Sequence, residues 1–231
     1  MEKIIRLICL NGSPNKNGNT ATAMAWVAAG AEELGAKVEW LHIADLDINY
    51  CKGCNSCLKT GKCVLSDDLQ IVLEKIRDAD GVISGSPVYG GRPTAQLKTL
   101  LDRLTLLKLY AGILGDGFSV GVATSGIAPT KRVAKDSANM FGKRIGVMGI
   151  KTASLNGEFT SLQINSDHKK KKNAKKLGRK LVKKCRQGGK TWSLKSAWIG
   201  FLRKYFLKRL LKKNRVKFAG VIEIWKEKGW Y

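Results

Sequence analysis

Apolar residues recur along the chain in short blocks with two alternating rhythms. Ile4 to Leu10 is a short apolar run that ends at Asn11-Gly12, the pattern of a buried strand of a parallel sheet. Residues 19–34 follow with helical spacing, Thr20 near the start and Gly35 just past the end. The same alternation predicts strands over 37–43, 81–85, 118–123 and 145–153. It predicts helices over 67–78, 94–109, 130–141 and 169–184. The 67–78 helix carries acidic residues in its first turn, favourable to the helix dipole. The 94–109 helix places apolar residues at 97, 100, 101, 104 and 107. Alternating strands and helices imply a parallel sheet covered on both faces and joined by right-handed crossovers. The expected class is α/β, a doubly wound five-stranded parallel sheet of order 2-1-3-4-5 over residues 1–187.

Residues 188–231 change character. Between Lys195 and Lys213, Trp198, Ile199, Phe201, Leu202, Tyr205, Phe206, Leu210 and Leu211 interleave with basic residues, which on a helix makes an apolar face backed by a cationic one. Such a helix packs on the domain or on a sister subunit, or lies on a membrane surface through residues 195–213. No run of 18 or more apolar residues is present, so a spanning helix is not expected, and the apolar start reads as a core strand rather than a signal. The expected location is the cytoplasm.

Composition adds charge to this picture. Forty-two Lys and Arg against 18 Asp and Glu give a net charge of +24, much of it after residue 167. This excess either solvates helix faces or attracts an acidic redox protein, an anionic cofactor, a membrane surface or another polyanion. Nucleic acid ranks last among these, because no recognition motif accompanies the charge.

Ligands of doubly wound sheets bind at the carboxyl ends of the strands, where the strand order reverses. The segment after the first strand, from Asn11 to Thr20, offers hydroxyls at Ser13 and Thr20, amides at Asn15, Asn17 and Asn19, and the free backbone of Gly18. It opens a helix, so unpaired N–H groups and a positive dipole end meet an anion there. It is neither a Walker-type loop nor a dinucleotide fingerprint, so a phosphate monoester fits it better than a pyrophosphate. After the third strand, Pro87, Val88, Tyr89 and Gly90 form a loop able to face a flat ring. Thr124, Ser125 and Gly126, after the fourth, reach the other rim.

Four of the six cysteines, Cys51, Cys54, Cys57 and Cys63, fall in one loop over residues 45–66 with spacing C-x2-C-x2-C-x5-C. Compact thiolate runs of this kind are typical of [4Fe–4S] centres. Zinc, a thiol/disulfide switch and a metal-free thiol loop are the rival readings. Cys9 reads as an inert core thiol, and Cys185 has no visible partner. His42 and His168 read as bystanders, and no general acid or base stands out.

The motifs Gly12-Ser-Pro-x-x-x-Gly-Asn-Thr20 and Ser86-Pro-Val-Tyr-x-Gly-x-x-Thr-Ala-Gln-Leu-Lys98 resemble those of the NADPH-dependent FMN reductase-like family. The cysteine loop between them is similar to that of its iron–sulfur flavoprotein branch. The resemblance covers residues 1 to about 130. It implies a flavodoxin-like fold, FMN as cofactor, a [4Fe–4S] cluster on the four cysteines, and a homodimer or homotetramer. The loop after the fourth strand is less glycine-rich than in that branch. Two activities follow as expectations: electron transfer with an acidic, ferredoxin-like partner, or NAD(P)H-dependent reduction of FMN or a quinone without a cluster. In the second, Arg92, Lys131 and Arg132 are candidates for the nucleotide's phosphates. A membrane- or polyanion-binding module is the non-enzymatic alternative.

Overall fold

The computed structural model describes residues 3–112, 117–152, 164, 167–188 and 202–231. Five parallel strands, β1 (Arg6–Asn11), β2 (Lys37–His42), β3 (Gly81–Pro87), β4 (Phe118–Ser125) and β5 (Lys143–Lys151), form one sheet of order β2-β1-β3-β4-β5. This is the flavodoxin-like order expected from the alternating pattern. Register is set by burial on both faces: Leu7 pairs with Gly81 and Val38, and Ile83 with Val120.

The period of two along each strand divides the core into two layers. Ile5, Leu7 and Cys9 face one side, packed with Ile83, Val120 and Val122 against α1 (Asn19–Glu32) and α6 (His168–Gln187). Ile8, Leu10 and Val82 face the other, against α3 (Leu69–Asp78) and α4 (Ala95–Leu106). On that same side α5 (Lys131–Asn139) covers β4, where Ser119 Oγ donates to Ala138 O. Burial drives the Cys9 thiol far up, as an inert core thiol requires. Cys185, by contrast, has a partner that the sequence did not reveal: its Sγ donates to Asp80 O at 3.3 Å.

Two element ends differ from expectation for identifiable reasons. Asp67 and Asp68 precede α3 instead of filling its first turn. Asp67 accepts from the Leu69 N–H at 3.2 Å, and its carboxylate is also taken by Arg103. The helix from 94 ends early and continues as a wider π-turn over Leu107–Ala111.

Residues 195–201 of the expected amphipathic helix lie outside the described residues. From residue 202 a π-turn leads into α7 (Lys208–Lys213), and a further helix, α8 (Ala219–Glu227), follows. Both dock on the α3/α4 layer, where Leu211, Phe218, Val221, Ile222 and Trp225 join the same core. Trp225 is 1% exposed and its Nε1 donates to Tyr110 O at 2.6 Å. Tyr205 and Phe206 remain exposed. Among the described residues no helix is long and apolar enough to cross a membrane.

Candidate functional site

The strands β1, β3 and β4 end at one rim, and the loops leaving them are tied together there. The Gly12 N–H donates to Gly85 O at 2.8 Å, and the Val88 N–H to Thr124 O at 2.8 Å. Thr94 Oγ1 donates to Gly12 O at 2.5 Å, and Ser86 Oγ accepts from the Thr94 N–H at 3.0 Å. The three loops nominated from the sequence therefore share one place.

The first loop is wound by its own side chains. Asn11 Oδ1 accepts from the Ser13 N–H (3.0 Å), Ser13 Oγ from Asn15 N–H (3.2 Å) and Asn15 Oδ1 from Asn17 N–H (3.0 Å). Short polar side chains that bond two residues ahead mimic turns. They deliver the chain to Gly18, the N-cap of α1, which offers no side chain to the helix end. The N–H groups of Thr20 and Ala21, in the first turn, have no carbonyl four residues back within the helix to bond and sit at the positive end of a 14-residue helix. That end suits an anion.

The candidate residues divide by role. Asn15 and Asn17 are exposed, and Gly18 and Asn19 are half-buried. Asn19 Oδ1 accepts from the Ile164 N–H at 3.3 Å. Thr20 is buried, and its Oγ1 lies 2.6 Å from Thr124 Oγ1, so these two hydroxyls join α1 to β4. Ser125 Oγ donates to Ala128 O at 2.6 Å, while Gly126 has open space beside it. Pro87 and Val88 are half-buried, and Tyr89 is exposed at the base of a tight turn closed by Tyr89–Arg92 backbone bonds of 3.0 Å. Gly90 (φ 56°) and Gly91 (φ 76°) form its centre, the left-handed pair of a type I′ turn. Arg92, Lys131 and Arg132 are exposed, and Arg132 pairs with Asp136 at 3.9 Å.

The cysteine loop is built differently. Cys51 and Cys54 are exposed, and Cys57 and Cys63 half-buried around the short α2 (Ser56–Thr60). All four line a single cavity, together with Lys52, Asp102, Arg103 and Leu106. Among the described residues no three His, Cys, Asp or Glu side chains are gathered as ligands of one ion. In a cubane each thiolate binds a different iron corner, so thiols spread around a cavity are the pattern such a group uses. The Cys57 thiol is raised first by burial and then by the neighbouring Cys63, Cys51 and Cys54. Cys54 is lowered by hydrogen bonds from Ser56 and by Lys52.

Behind the thiols lies a pairing that the sequence pattern did not reveal. Arg103 and Asp67 form a buried ion pair, with side chains 1% and 0% exposed. Arg103 Nη1 donates to Asp67 Oδ2 and to Asn49 O, both at 2.6 Å. Its Nη2 donates to Asp67 Oδ1 at 3.0 Å and to Cys63 Sγ at 3.3 Å. Nε is buried without a protein partner. Burial alone would raise the Asp67 carboxyl, but hydrogen bonds from Arg103 and from the Asn49 and Leu69 N–H groups outweigh it and hold the carboxyl low. A signal existed: Arg103 falls three residues after Leu100 and four before Leu107, on the apolar stripe of α4. The donor set of four thiols, a buried guanidinium and an orphaned N–H suits an anionic, sulfur-rich group.

The C-terminal helix closes this region. A Cβ at Gly220 would lie 2.0 Å from the Gly61 nitrogen and 2.3 Å from the Thr60 carbonyl carbon, so α8 touches α2 backbone to backbone.

Comparison with known proteins places these features in a family. Residues 5–160 match the family described as NADPH-dependent FMN reductase. An iron–sulfur flavoprotein of Methanocaldococcus jannaschii is 38% identical over 125 residues, covering 53% of this chain and 65% of that protein. Another, of Clostridioides difficile, is 28% identical over 229 residues, covering 95% of this chain and 97% of its own. Among solved structures a flavone reductase shares the fold, with a TM-score of 0.62 at 20% identity over 81% of this chain and 65% of that one.

Proposed function

The chain belongs to the NADPH-dependent FMN reductase family, and from that premise we propose that it is an FMN-dependent oxidoreductase that moves electrons between FMN and a [4Fe–4S] cluster. The observation that carries this reading is the convergence of Cys51, Cys54, Cys57 and Cys63 on one cavity, in a chain whose strand-end loops suit a phosphate. When bound, FMN supplies one- and two-electron chemistry and the cluster supplies one-electron chemistry.

The rest is the work of the chain. Ser13, Asn15, Asn17, Gly18, Asn19 and Thr20 supply the loop and helix end that would hold the phosphate, with backbone N–H groups as the principal donors. Pro87, Val88, Tyr89 and Gly90 would face one edge of the ring, and Thr124, Ser125 and Gly126 the other. The hydrogen bonds among these loops fix their spacing before the cofactor arrives, so little ordering is left to binding. Arg103 and Asp67 orient the cysteine loop, and α8 shields its inner side from water.

The electron donor we propose is an acidic redox protein of the ferredoxin kind, supported by the net charge of +24 and by the steering that opposite charges give to encounter. An anaerobic mixing experiment tests it. Reduced ferredoxin should bleach the flavin quickly, and more slowly as salt is raised. Bleaching by NADPH but not by ferredoxin would favour the pyridine-nucleotide reductase instead. Failure to retain FMN in any preparation would overturn both.

A further inference from the structure

We infer that Arg103 is a positioning residue that sets the reduction potential of the thiolate-bound cluster by donating from Nη2 to the Cys63 sulfur. The inference rests on the cluster reading above and deepens it.

Three observations carry it. The guanidinium is almost wholly buried, with its side chain 1% exposed, so its charge is not a solvated surface charge. Its hydrogen bonds to Asp67 and Asn49 O fasten both flanks of the cysteine loop to α4. A purely mechanical clamp would be complete at that point. The third bond goes past the clamp to a sulfur: Nη2 reaches Cys63 Sγ at 3.3 Å, and the buried Nε remains as a further donor.

An arginine has five donors in a rigid fork. Fixing that fork with a two-pronged carboxylate therefore fixes where the remaining hydrogens point. Reduction adds negative charge to a thiolate-ligated cluster, and hydrogen bonds to its sulfurs are among the factors that set its potential. A donor held against Cys63 stabilises the reduced form more than the oxidised form. The Asp67 carboxylate, behind the guanidinium, acts in the opposite sense. Arg103 and Asp67 therefore differ in sign at the cluster while sharing one mechanical role, and that difference makes the two roles separable.

The experiment uses the full chain, reconstituted anaerobically with iron and sulfide, and reads the cluster potential by a redox titration followed by visible absorption and electron paramagnetic resonance. Arg103→Gln should lower the reduced-to-oxidised ratio at a fixed applied potential about tenfold, equivalent to about 59 mV for one electron. Asp67→Asn should shift the ratio the other way. The FMN potential should move less in both. Arg103→Lys keeps the charge without the fork; it should shift in the same direction as Arg103→Gln by a smaller amount, and it serves if the glutamine variant does not fold. Iron-loaded Arg103 variants with the wild-type potential would overturn the inference. So would shifts of the same sign in the Arg103 and Asp67 variants, or loss of iron from both Arg103 variants while FMN is kept. A wild-type chain that takes up FMN but no iron and sulfide would instead overturn the cluster reading itself.

Discussion

The strand-end cradle and the cysteine loop both serve the proposed chemistry, but they are held in place by different means. The cradle is fixed by the sheet: its loops leave adjacent parallel strands and bond to one another through Gly12–Gly85, Val88–Thr124 and Thr20–Thr124. The cysteine loop leaves the edge strand β2 and depends on distant groups, Arg103 in α4 and Gly220 in α8. A site framed by the sheet is as stable as the core, whereas a site pinned from outside can be lost while the core survives. The two sites should therefore fail separately.

The largest effect should come from Gly220→Val. Its side chain would meet the backbone of Thr60 and Gly61, and overpacking of this severity costs about 3 kcal/mol. Iron retention and thermal midpoint should fall while FMN titration stays as in the wild type. Parallel loss of FMN would break the comparison. Next, Thr124→Val leaves the buried Thr20 hydroxyl unpaired, at about 2 kcal/mol. FMN affinity should drop and the cysteine loop should keep its iron. Replacing both threonines by valine should restore most of the loss, because removing both partners of a buried pair is nearly neutral. If the Thr20 hydroxyl instead served the phosphate, the double variant would bind FMN no better than Thr20→Val alone.

Acid should reach the cysteine side through Asp67. Its folded carboxyl is held below the ordinary value, so its contribution to stability is complete above the unfolded value of about 3.9 and is lost as pH falls through the lower folded value. Each unit of depression contributes about 1.4 kcal/mol. Urea midpoints of the wild type should decline over that acid range more steeply than those of Asp67→Asn. The smallest effect belongs to Lys98→Ala. It removes an exposed ion pair with Asp102 beside the cysteine cavity, and the expected cost is about 0.4 kcal/mol. A larger loss of iron would show that the cavity rim contributes more than a solvated pair does.

The contrast also explains what could be read before the fold was known. The central strands β1, β3 and β4 were legible because burial on both faces writes itself as short runs of apolar and small residues, the edge strands β2 and β5 followed from the alternation of strands with helices, and the cradle from its place after them. The Thr20–Thr124 bond was not legible, since it joins residues 104 positions apart. Arg103 was visible only as a misfit in the apolar stripe of α4; its partners Asn49, Cys63 and Asp67 come from another segment. Asp67 and Asp68 read as dipole-favouring residues of a first turn, but tertiary pairing with Arg103 took the Asp67 carboxylate instead. The helix of residues 219–227 was obscured by its shortness and by the basic run before it, although Val221, Ile222 and Trp225 carry helical spacing.

The central claim is that one chain holds both FMN and a cluster on Cys51, Cys54, Cys57 and Cys63. Its most direct test is the iron and acid-labile sulfide content per FMN in protein purified and reconstituted without oxygen. The account predicts about four of each per FMN, falling sharply when Cys57 or Cys63 is replaced by serine while FMN is retained. One zinc per chain, or FMN with no metal and no sulfide, would contradict it.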